Sequence, residues 1–329
     1  MKKTRREFLR LAGAGIATAA AGPALAARPA RAQQLTPFKI GGVVLGDLAI
    51  SGPILVGIEK GFFRENGIAA EMIPFKGGPD QLKGVLAGAV QLATSGATDP
   101  LVFRHQGTTI RAVAVTTEKN HFTFVVAPQI KRLEDLKGGT IGVTVVGATT
   151  WVFARMLAKK MGWDPEKDIR ILGAGGFDSQ VAGMRRGELQ AVVWGDGGYV
   201  VENLGVGRVL MRMDEVTPKW ISQMAYATDE VIKTRRADLQ KVLRGFFQAV
   251  KFMRENPEET IRISAKGIGW PEAATRRAYE STRPLLPVDG RIDLEALKTM
   301  QDTLLELGVL KKRLPLEDHY TTEFTPVRT

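Results

Sequence analysis

A strand-like stretch and a helix-like stretch meet at a turn of small and hydroxylated residues, Gly147-Ala148-Thr149-Thr150. Residues 141–146 are apolar and β-branched, which is typical of a buried strand, whereas 149–160 carry apolar residues at helical spacing. The first turn of a helix has backbone N–H groups without intrahelical partners, and small residues leave them accessible. We expect this turn to bind an acceptor group of a ligand. The alternative is that Thr149 or Thr150 only caps the helix.

Five further turns of similar composition follow other strand-like stretches. They are SGP (51–53), GGP (77–79), TDP (98–100), GGFD (175–178) and GDGGY (195–199). Proline suits the first position of a helix, so Ser51, Gly78 and Asp99 are predicted to be helix caps. Capping alone explains any one of these turns, but six of them on a repeated frame favour a binding cleft.

The repeated frame is visible as three short patterns that recur in order. Ile40-Gly41-x-x-Val44-x-Gly46 returns at 141–147, Gly77-Gly78-x-Asp80 at 175–178, and Gly88-x-x-Gln91-x-x-x-x-Gly96 at 187–195. The offsets stay near 100 residues. A self-similarity of this kind indicates two copies of one supersecondary unit.

Each copy alternates strands and helices. The strands are predicted near 38–45, 69–75 and 90–95, and again near 140–146, 168–172 and 190–194. The helices are predicted near 53–65, 79–88, 149–161 and 179–187. This order predicts an α/β protein with two similar lobes, each a mostly parallel sheet flanked by helices. Ligands bind at the carboxyl ends of such strands, so the six turns face a shared cleft.

Three motifs carry a resemblance to a known family. The chain reads Gly57-x-Glu59-Lys60-Gly61-Phe62-Phe63, then Gly88-x-Val90-Gln91-Leu92, then Asp135-Leu136-Lys137-Gly138. In this it resembles the periplasmic solute-binding proteins of ABC importers, in the branch that binds nitrate, sulfonates, taurine and thiamine pyrimidine precursors. The resemblance implies a type II periplasmic binding fold with a two-strand hinge. Lobe 1 would comprise 33–124 and 226–329, and lobe 2 would comprise 125–225, with crossings near 121–127 and 222–228.

The same resemblance implies the function. The protein would capture a small organic solute between its lobes and deliver it to an ABC permease of the inner membrane, without catalysing a reaction and as a monomer. Two alternatives stay open: an enzyme on the same two-lobed frame, and a protein that delivers its ligand to a membrane sensor. Tight binding without turnover would distinguish a receptor from an enzyme.

The N-terminal 32 residues are predicted to be a twin-arginine signal peptide. Arg5-Arg6 precede a weakly hydrophobic segment rich in alanine and glycine, and Ala30-Arg31-Ala32 forms a cleavage site. We expect export by the twin-arginine translocase to the periplasm, with no lipid anchor because the chain has no cysteine. This segment carries a net charge of +6 out of +11, and the remaining charges are interleaved, which argues against nucleic-acid binding.

Composition excludes several kinds of chemistry. The absence of cysteine excludes disulfides, thiolate metal sites and cysteine nucleophiles. His105, His121 and His319 lie far apart without a metal-binding spacing, and no cofactor motif stands out, so no metal and no cofactor are predicted. His121 adjoins the first crossing and is a candidate ligand contact.

The ligand itself has two interpretations. A sulfonate or nitrate would use backbone N–H groups and hydroxyls, whereas an amine-bearing or nitrogen-heterocyclic ring would stack on Trp194 or Tyr199 and pair with Asp196. The stretch from Trp194 to Tyr199 departs from the Trp/Phe-Glu-Pro-Tyr that the family often shows, with Asp in place of Glu and two additional glycines. The full predicted set of ligand-binding residues is Asp47, Ser51, Gly78, Ser95, Thr98, His121, Gly147, Thr149, Thr150, Phe177, Trp194, Asp196 and Tyr199.

Overall fold

The computed structural model describes residues 34–43, 45–217 and 219–329. The predicted signal peptide and its cleavage site after Ala32 lie outside these residues. Within them, no helix has the length and apolar character needed to cross a membrane.

Ten strands form the framework of the described chain. They are β1 (Thr36–Gly42), β2 (Ile68–Pro74), β3 (Leu92–Gly96), β4 (Ile110–Thr117), β5 (Thr123–Val126), β6 (Thr140–Val143), β7 (Arg170–Gly173), β8 (Ala191–Trp194), β9 (Arg208–Arg212) and β10 (Gln223–Thr228).

Twelve α-helices pack on these strands in the described residues. They are α1 (Leu48–Glu59), α2 (Phe62–Glu65), α3 (Gly78–Leu86), α4 (Thr98–His105), α5 (Thr149–Lys160), α6 (Phe177–Arg185), α7 (Gly198–Asn203), α8 (Asp229–Thr234), α9 (Arg236–Glu255), α10 (Pro257–Ile268), α11 (Glu272–Thr282) and α12 (Leu294–Glu306).

The strands form two five-stranded sheets of matching topology, which confirms the predicted two-lobed α/β fold. The orders are β2-β1-β3-β10-β4 and β7-β6-β8-β5-β9. Each sheet is mixed, with four strands in one direction, and the exceptions are β10 and β5, which follow the crossings between sheets and run antiparallel to both neighbours. We call sheet 1 with α1–α4 and α8–α12 lobe 1, and sheet 2 with α5–α7 lobe 2.

The chain passes between the sheets at residues 118–122 and 213–222. The boundaries at 124/125 and 225/226 stay predictions. One core cluster of lobe 1 joins sheet 1 to α1 and the long helix α9, whose apolar stripe includes Leu243 and Phe246. The other cluster runs from the α4 side of sheet 1 into sheet 2, so apolar packing is continuous past the crossings.

Two local predictions in lobe 1 are wrong. Helix α1 begins at Leu48 rather than near Pro53, because the Asp47 side chain accepts a hydrogen bond from the Ile50 N–H and caps the helix earlier. Pro53 therefore lies inside the helix, and Ser51 does not cap it but donates to the Leu45 carbonyl at 2.9 Å.

The other two predicted caps are also wrong by one or two residues. The N-cap of α3 is Gly77 and Gly78 is its first residue, while the N-cap of α4 is Ala97. Asp99 lies in the first turn of α4, where its carboxyl is directed to lobe 2. Capping rules thus located the starts of α3 and α4 within two residues but not their caps, and the Asp99 carboxyl contacts lobe 2 instead of capping α4.

Candidate functional site

A small buried cavity lies between the lobes, at the carboxyl ends of the central strands. Its volume is about 30 Å³, enough for about two water molecules. Lobe 1 contributes Val43, Asp47, Ile50, Gly77, Gly78, Gly96 and Asp99. The first crossing contributes Phe122, and lobe 2 contributes Thr144, Ala148, Thr149, Thr150, Trp194 and Gly195. The lobes are thus closed on each other, and an organic solute needs them to separate before it can enter.

On one side of this cavity, lobe 2 contacts the start of helix α1. Asp196, just after β8, accepts hydrogen bonds from the N–H groups of Leu48 at 2.8 Å and Ala49 at 2.9 Å. Thr282 donates its hydroxyl to the same carboxylate at 3.0 Å. Trp194 adds a hydrogen bond from its indole nitrogen to the Gly46 carbonyl at 2.8 Å. The partial positive charge of the α1 N-terminus is therefore matched by a carboxylate of the other lobe.

His121 connects this contact to the crossings. Its Nε2 lies 3.1 Å from Asp47 Oδ2, and its Nδ1 lies 2.6 Å from the Ser222 hydroxyl. Burial by itself lowers the pKa of His121, but the charge and hydrogen bond of Asp47 and the charge of Asp196 outweigh it, so the pKa is raised. Asp196 also has a raised pKa, caused first by burial and then by the Asp47 carboxylate.

Glycine permits this close approach of the two lobes. A side chain at Gly195 would collide with the Asp47 carboxylate, and its Cβ would lie 2.7 Å from His121 Nε2. Gly195 therefore makes room for the buried acid–base cluster.

The same cluster has the composition of a cation site. Asp47, His121 and Asp196 are buried and offer ligand atoms that lie within 4.8 Å of one another. Sequence spacing gave no indication of this grouping, because the three residues come from α1, the first crossing and the loop after β8. Each of them makes hydrogen bonds inside the protein, and the absence of a metal stays a prediction.

On the other side of the cavity, lobe 1 contacts the start of helix α5. The Thr149 hydroxyl donates to Asp99 Oδ1 at 3.0 Å and also hydrogen-bonds the Thr98 hydroxyl. Ser95 makes a further hydrogen bond to the Asp99 carboxyl. Complete burial raises the pKa of Asp99 to about 7, although these hydrogen bonds oppose the shift. A titratable acid near neutrality therefore lines the cavity.

The start of α5 is not capped by either threonine. Its N-cap is Ala148, which makes no side-chain cap, and Thr150 accepts a hydrogen bond from the Thr144 N–H at 3.0 Å. Gly147 precedes the cap with a φ of +87° and does not line the cavity. The alternative in which a threonine caps the helix is thus wrong for the closed structure.

The remaining predicted residues lie away from the inner cavity. Ser51 is buried inside α1, as described above. The ring of Phe177 packs against Trp194, with ring centroids 5.4 Å apart, on the outer side of the indole. The Tyr199 hydroxyl lies 3.0 Å from the Ser281 hydroxyl of α11, and Arg277 lies over its ring. Tyr199 therefore helps to join the lobes rather than to line the cavity.

Sequence reasoning missed Asp99 as a cavity residue, because it assigned that carboxylate to a helix cap. One signal could have identified it: Asp99 follows β3, and Asp196 follows the equivalent strand β8 of the repeat. Phe122 and Thr144, which also line the cavity, carried no distinguishing pattern.

The comparisons with known proteins agree with this fold. The profile described as NMT1/THI5-like matches residues 50–260, and the chain belongs to this family. A Brucella abortus protein named as a candidate binding protein is 21% identical over 276 residues, which are 81% of this chain and 85% of that one.

Solved structures extend the similarity to nearly the whole described chain. A protein of Bordetella bronchiseptica superposes with a TM-score of 0.78 at 20% identity, over 89% of this chain and 96% of that one. The alkanesulfonate-binding protein SsuA of Xanthomonas axonopodis, bound to MOPS, superposes with a TM-score of 0.73 at 17% identity, over 85% and 96%. The resemblance to periplasmic solute-binding proteins is thereby confirmed at the level of family and fold.

Proposed function

We propose that this protein is the periplasmic receptor of an ABC importer, which captures a small organic solute between its lobes and passes it to the membrane permease. The observation that carries the proposal is the cavity closed by both lobes, with hydrogen bonds across it that Asp196 accepts and that Trp194 and Thr149 donate. A site assembled from two lobes is created and removed by one hinge motion, which suits capture and release.

The charge of the cavity supports a solute with an amine or a nitrogen-heterocyclic head group over a sulfonate or nitrate. The residues that line it include the acids Asp47 and Asp99 and neither lysine nor arginine. The N-termini of α1 and α5 would otherwise attract an anion, but each already faces a carboxyl group of the opposite lobe. We infer that the head group donates hydrogen bonds to the Asp99 carboxyl. A hydrogen bond that the head group accepts would come from the Thr149 hydroxyl.

Calorimetry with ethylamine and ethanesulfonate tests the preferred head group. We expect the amine to bind more tightly, and its affinity to rise by up to tenfold per pH unit as Asp99 ionises, levelling off above about pH 7. Tighter binding of the sulfonate at every pH would favour the anionic interpretation instead.

Mass spectrometry of the natively purified protein tests the choice between receptor and enzyme. A receptor retains one solute and releases it unchanged on denaturation, whereas an enzyme on this frame converts it during incubation. Small-angle scattering then tests the hinge, because a solute that stabilises the closed form reduces the radius of gyration.

Export and partners complete the proposal. The N-terminal segment would direct the folded protein through the twin-arginine translocase, and the mature monomer would meet the permease in the periplasm. Substitution of lysine for Arg5 and Arg6 tests the route, since the protein should then accumulate in the cytoplasm. An undiminished periplasmic yield would exclude this route.

A further inference from the structure

We propose that an aromatic groove outside the inner cavity is the second half of the ligand site and binds an aromatic ring of the solute. The inference rests on the proposed receptor function and adds the class of solute: a polar head group joined to an aromatic ring. The groove lies at the mouth of the cleft and is lined by residues of both lobes, among them Phe75, Phe177, Trp194 and Trp270.

Size is the first argument. The inner cavity of about 30 Å³ is far below the 300–1,000 Å³ that is typical of sites for organic ligands. The groove measures about 670 Å³, which lies within that range. A solute larger than a few heavy atoms can therefore place its head in the inner cavity only if the rest of it occupies the groove.

Continuity is the second argument. Trp194 lines both spaces, and its indole nitrogen donates to the Gly46 carbonyl, so the ring and this turn form the wall between them. Gly46 has no side chain, and a Cβ there would contact Phe177 at 3.4 Å and Trp270 at 3.7 Å. The Trp194 ring and the Gly46 turn thus separate the two spaces, and a separation of the lobes breaks the hydrogen bond that joins them.

The chemistry of the groove is the third argument. Phe177 lies at the centre of an aromatic cluster, 5.4 Å from Trp194 and 6.0 Å from Trp270 by ring centroids, in tilted or edge-on arrangements that an added ring can extend. Leu45 and Leu204 remain 37% and 41% exposed at its edge. An aromatic ring of the solute would cover apolar surface that the closed lobes leave in water.

The edge of the groove also holds two charges. Lys76 of lobe 1 and Asp178 of lobe 2 line it, are exposed, and make no ion pair with any residue that the structure describes. They stand on opposite sides of the cleft mouth, and polar substituents on the solute's ring can meet either of them.

Calorimetry with two matched pairs of probes tests the groove: ethylamine against 2-phenylethylamine, and ethanesulfonate against 2-phenylethanesulfonate. Each pair keeps its head group and changes only the ring, so a ring preference is measured whichever head group the inner cavity accepts. We expect the phenyl compound of the accepted pair to bind at least tenfold more tightly.

Two variants test whether the groove causes the tighter binding of the phenyl probe. Phe177→Leu removes a groove ring while it retains apolar volume, and Phe252→Leu is the matched control, a half-buried phenylalanine that packs against Phe62 on lobe 1. Phe177→Leu should reduce the ring preference, which is the ratio of the phenyl affinity to the ringless affinity, at least threefold, whereas Phe252→Leu should leave this ratio at its wild-type value. Circular dichroism confirms that both variants fold.

The outcomes separate this inference from the proposed function. Binding of ringless and phenyl probes with equal affinity overturns the groove and leaves the receptor intact. A ring preference that survives Phe177→Leu unchanged also overturns it. A ring preference in the sulfonate pair alone supports the groove and overturns the amine head group. If none of the four probes binds at millimolar concentration, both proposals fail.

Discussion

The first turns of α1 and α5 occupy equivalent positions in the two lobes, 101 residues apart, yet they meet the opposite lobe differently. At α1, Asp47 caps the helix, and Asp196 from lobe 2 accepts two backbone N–H groups and the Thr282 hydroxyl. At α5, no side chain caps the helix, and Asp99 from lobe 1 is met by the Thr149 hydroxyl. Each helix start thus faces an aspartate that follows the third strand of the other lobe's repeat.

The difference indicates that the contact at α1 and the contact at α5 have different roles. The α1 contact is complete: the donors at the helix start are satisfied and the acids share the cluster with His121, so it serves to hold the lobes together. At the α5 contact, the carboxyl of Asp99 itself lines the cavity, whereas Asp196 at the α1 contact does not, although burial raises the pKa of both acids to about 7. We infer that the solute replaces contacts at α5 and leaves those at α1 in place. Substitutions at four places test this comparison.

The largest effect is expected from Asp196→Ala. It leaves two buried N–H groups at α1 and the Thr282 hydroxyl without their acceptor, which should cost about 3 kcal/mol of unfolding free energy. Thermal unfolding at pH 7 should show a melting temperature lower by roughly 6 °C or more. Asp178→Ala, at an exposed aspartate in the first turn of α6, is the matched control and should melt near wild type. Equal melting of the two variants would mean that the α1 contact does not hold the lobes.

Asp99→Asn should have the next largest effect, through pH. The pKa of Asp99 is raised from its ordinary value to about 7, so the folded protein retains a proton that the unfolded chain releases near pH 4. The contribution of Asp99 to stability therefore falls as pH rises from about 4 to 7 and is constant above. Asparagine does not titrate, so the variant should be about 2 kcal/mol more stable than wild type at pH 8 and similar at pH 4.

Denaturant unfolding across this pH range measures the effect. Asp80→Asn, at a partly exposed aspartate in the first turn of α3, is the control and should keep the wild-type slope. If Asp99→Asn keeps that slope as well, Asp99 does not titrate near neutrality and the proposed head-group site loses its basis.

Substitution of the two threonines at the start of α5 should distinguish a hydrogen bond across the cleft from a hydrogen bond within one lobe. Thr149→Val removes the hydrogen bond to Asp99, and Thr150→Val removes the one to Thr144, each at about 1 kcal/mol. Only Thr149→Val should weaken closure and raise the radius of gyration in small-angle scattering, because Thr144 belongs to the same lobe as Thr150. Thr149→Ser should restore the wild-type value. Expansion by both variants, or by neither, would contradict this assignment.

The smallest effect is expected at Gly147. Its φ of +87° penalises a side chain by about 1–2 kcal/mol, and the lower entropy of unfolded alanine offsets part of this, so Gly147→Ala should cost roughly 0.5 kcal/mol. Gly176→Ala is the control, since that glycine has a φ of −73° and open space around it. Gly147→Ala should not change solute affinity, since Gly147 lines neither the cavity nor the groove. A selective loss of affinity in Gly147→Ala would restore the expectation that this turn contacts the ligand.

Much of this architecture was readable in the sequence because it is local and periodic. Apolar β-branched stretches and helical spacing located the strands and helices such as α5 and α6 within a few residues, and the repeat predicted two lobes. Strand direction was less accessible: β5 and β10 run antiparallel because the chain changes sheets just before each of them, and no local pattern records such a crossing.

Only the tertiary structure decided the site. Turn chemistry predicted the starts of α3, α5 and α6 within two residues, but it placed the start of α1 five residues too late and assigned Ser51, Gly78 and Asp99 to caps. The sequence contains Asp47, His121 and Asp196 at separations of 74 and 75 residues without any pattern that unites them. They become one buried cluster because the lobes close with glycine at their interface. Composition and periodicity predict the helix or strand to which a residue belongs. The pKa of an acid and its hydrogen-bond partners depend instead on the residues that the tertiary fold places next to it.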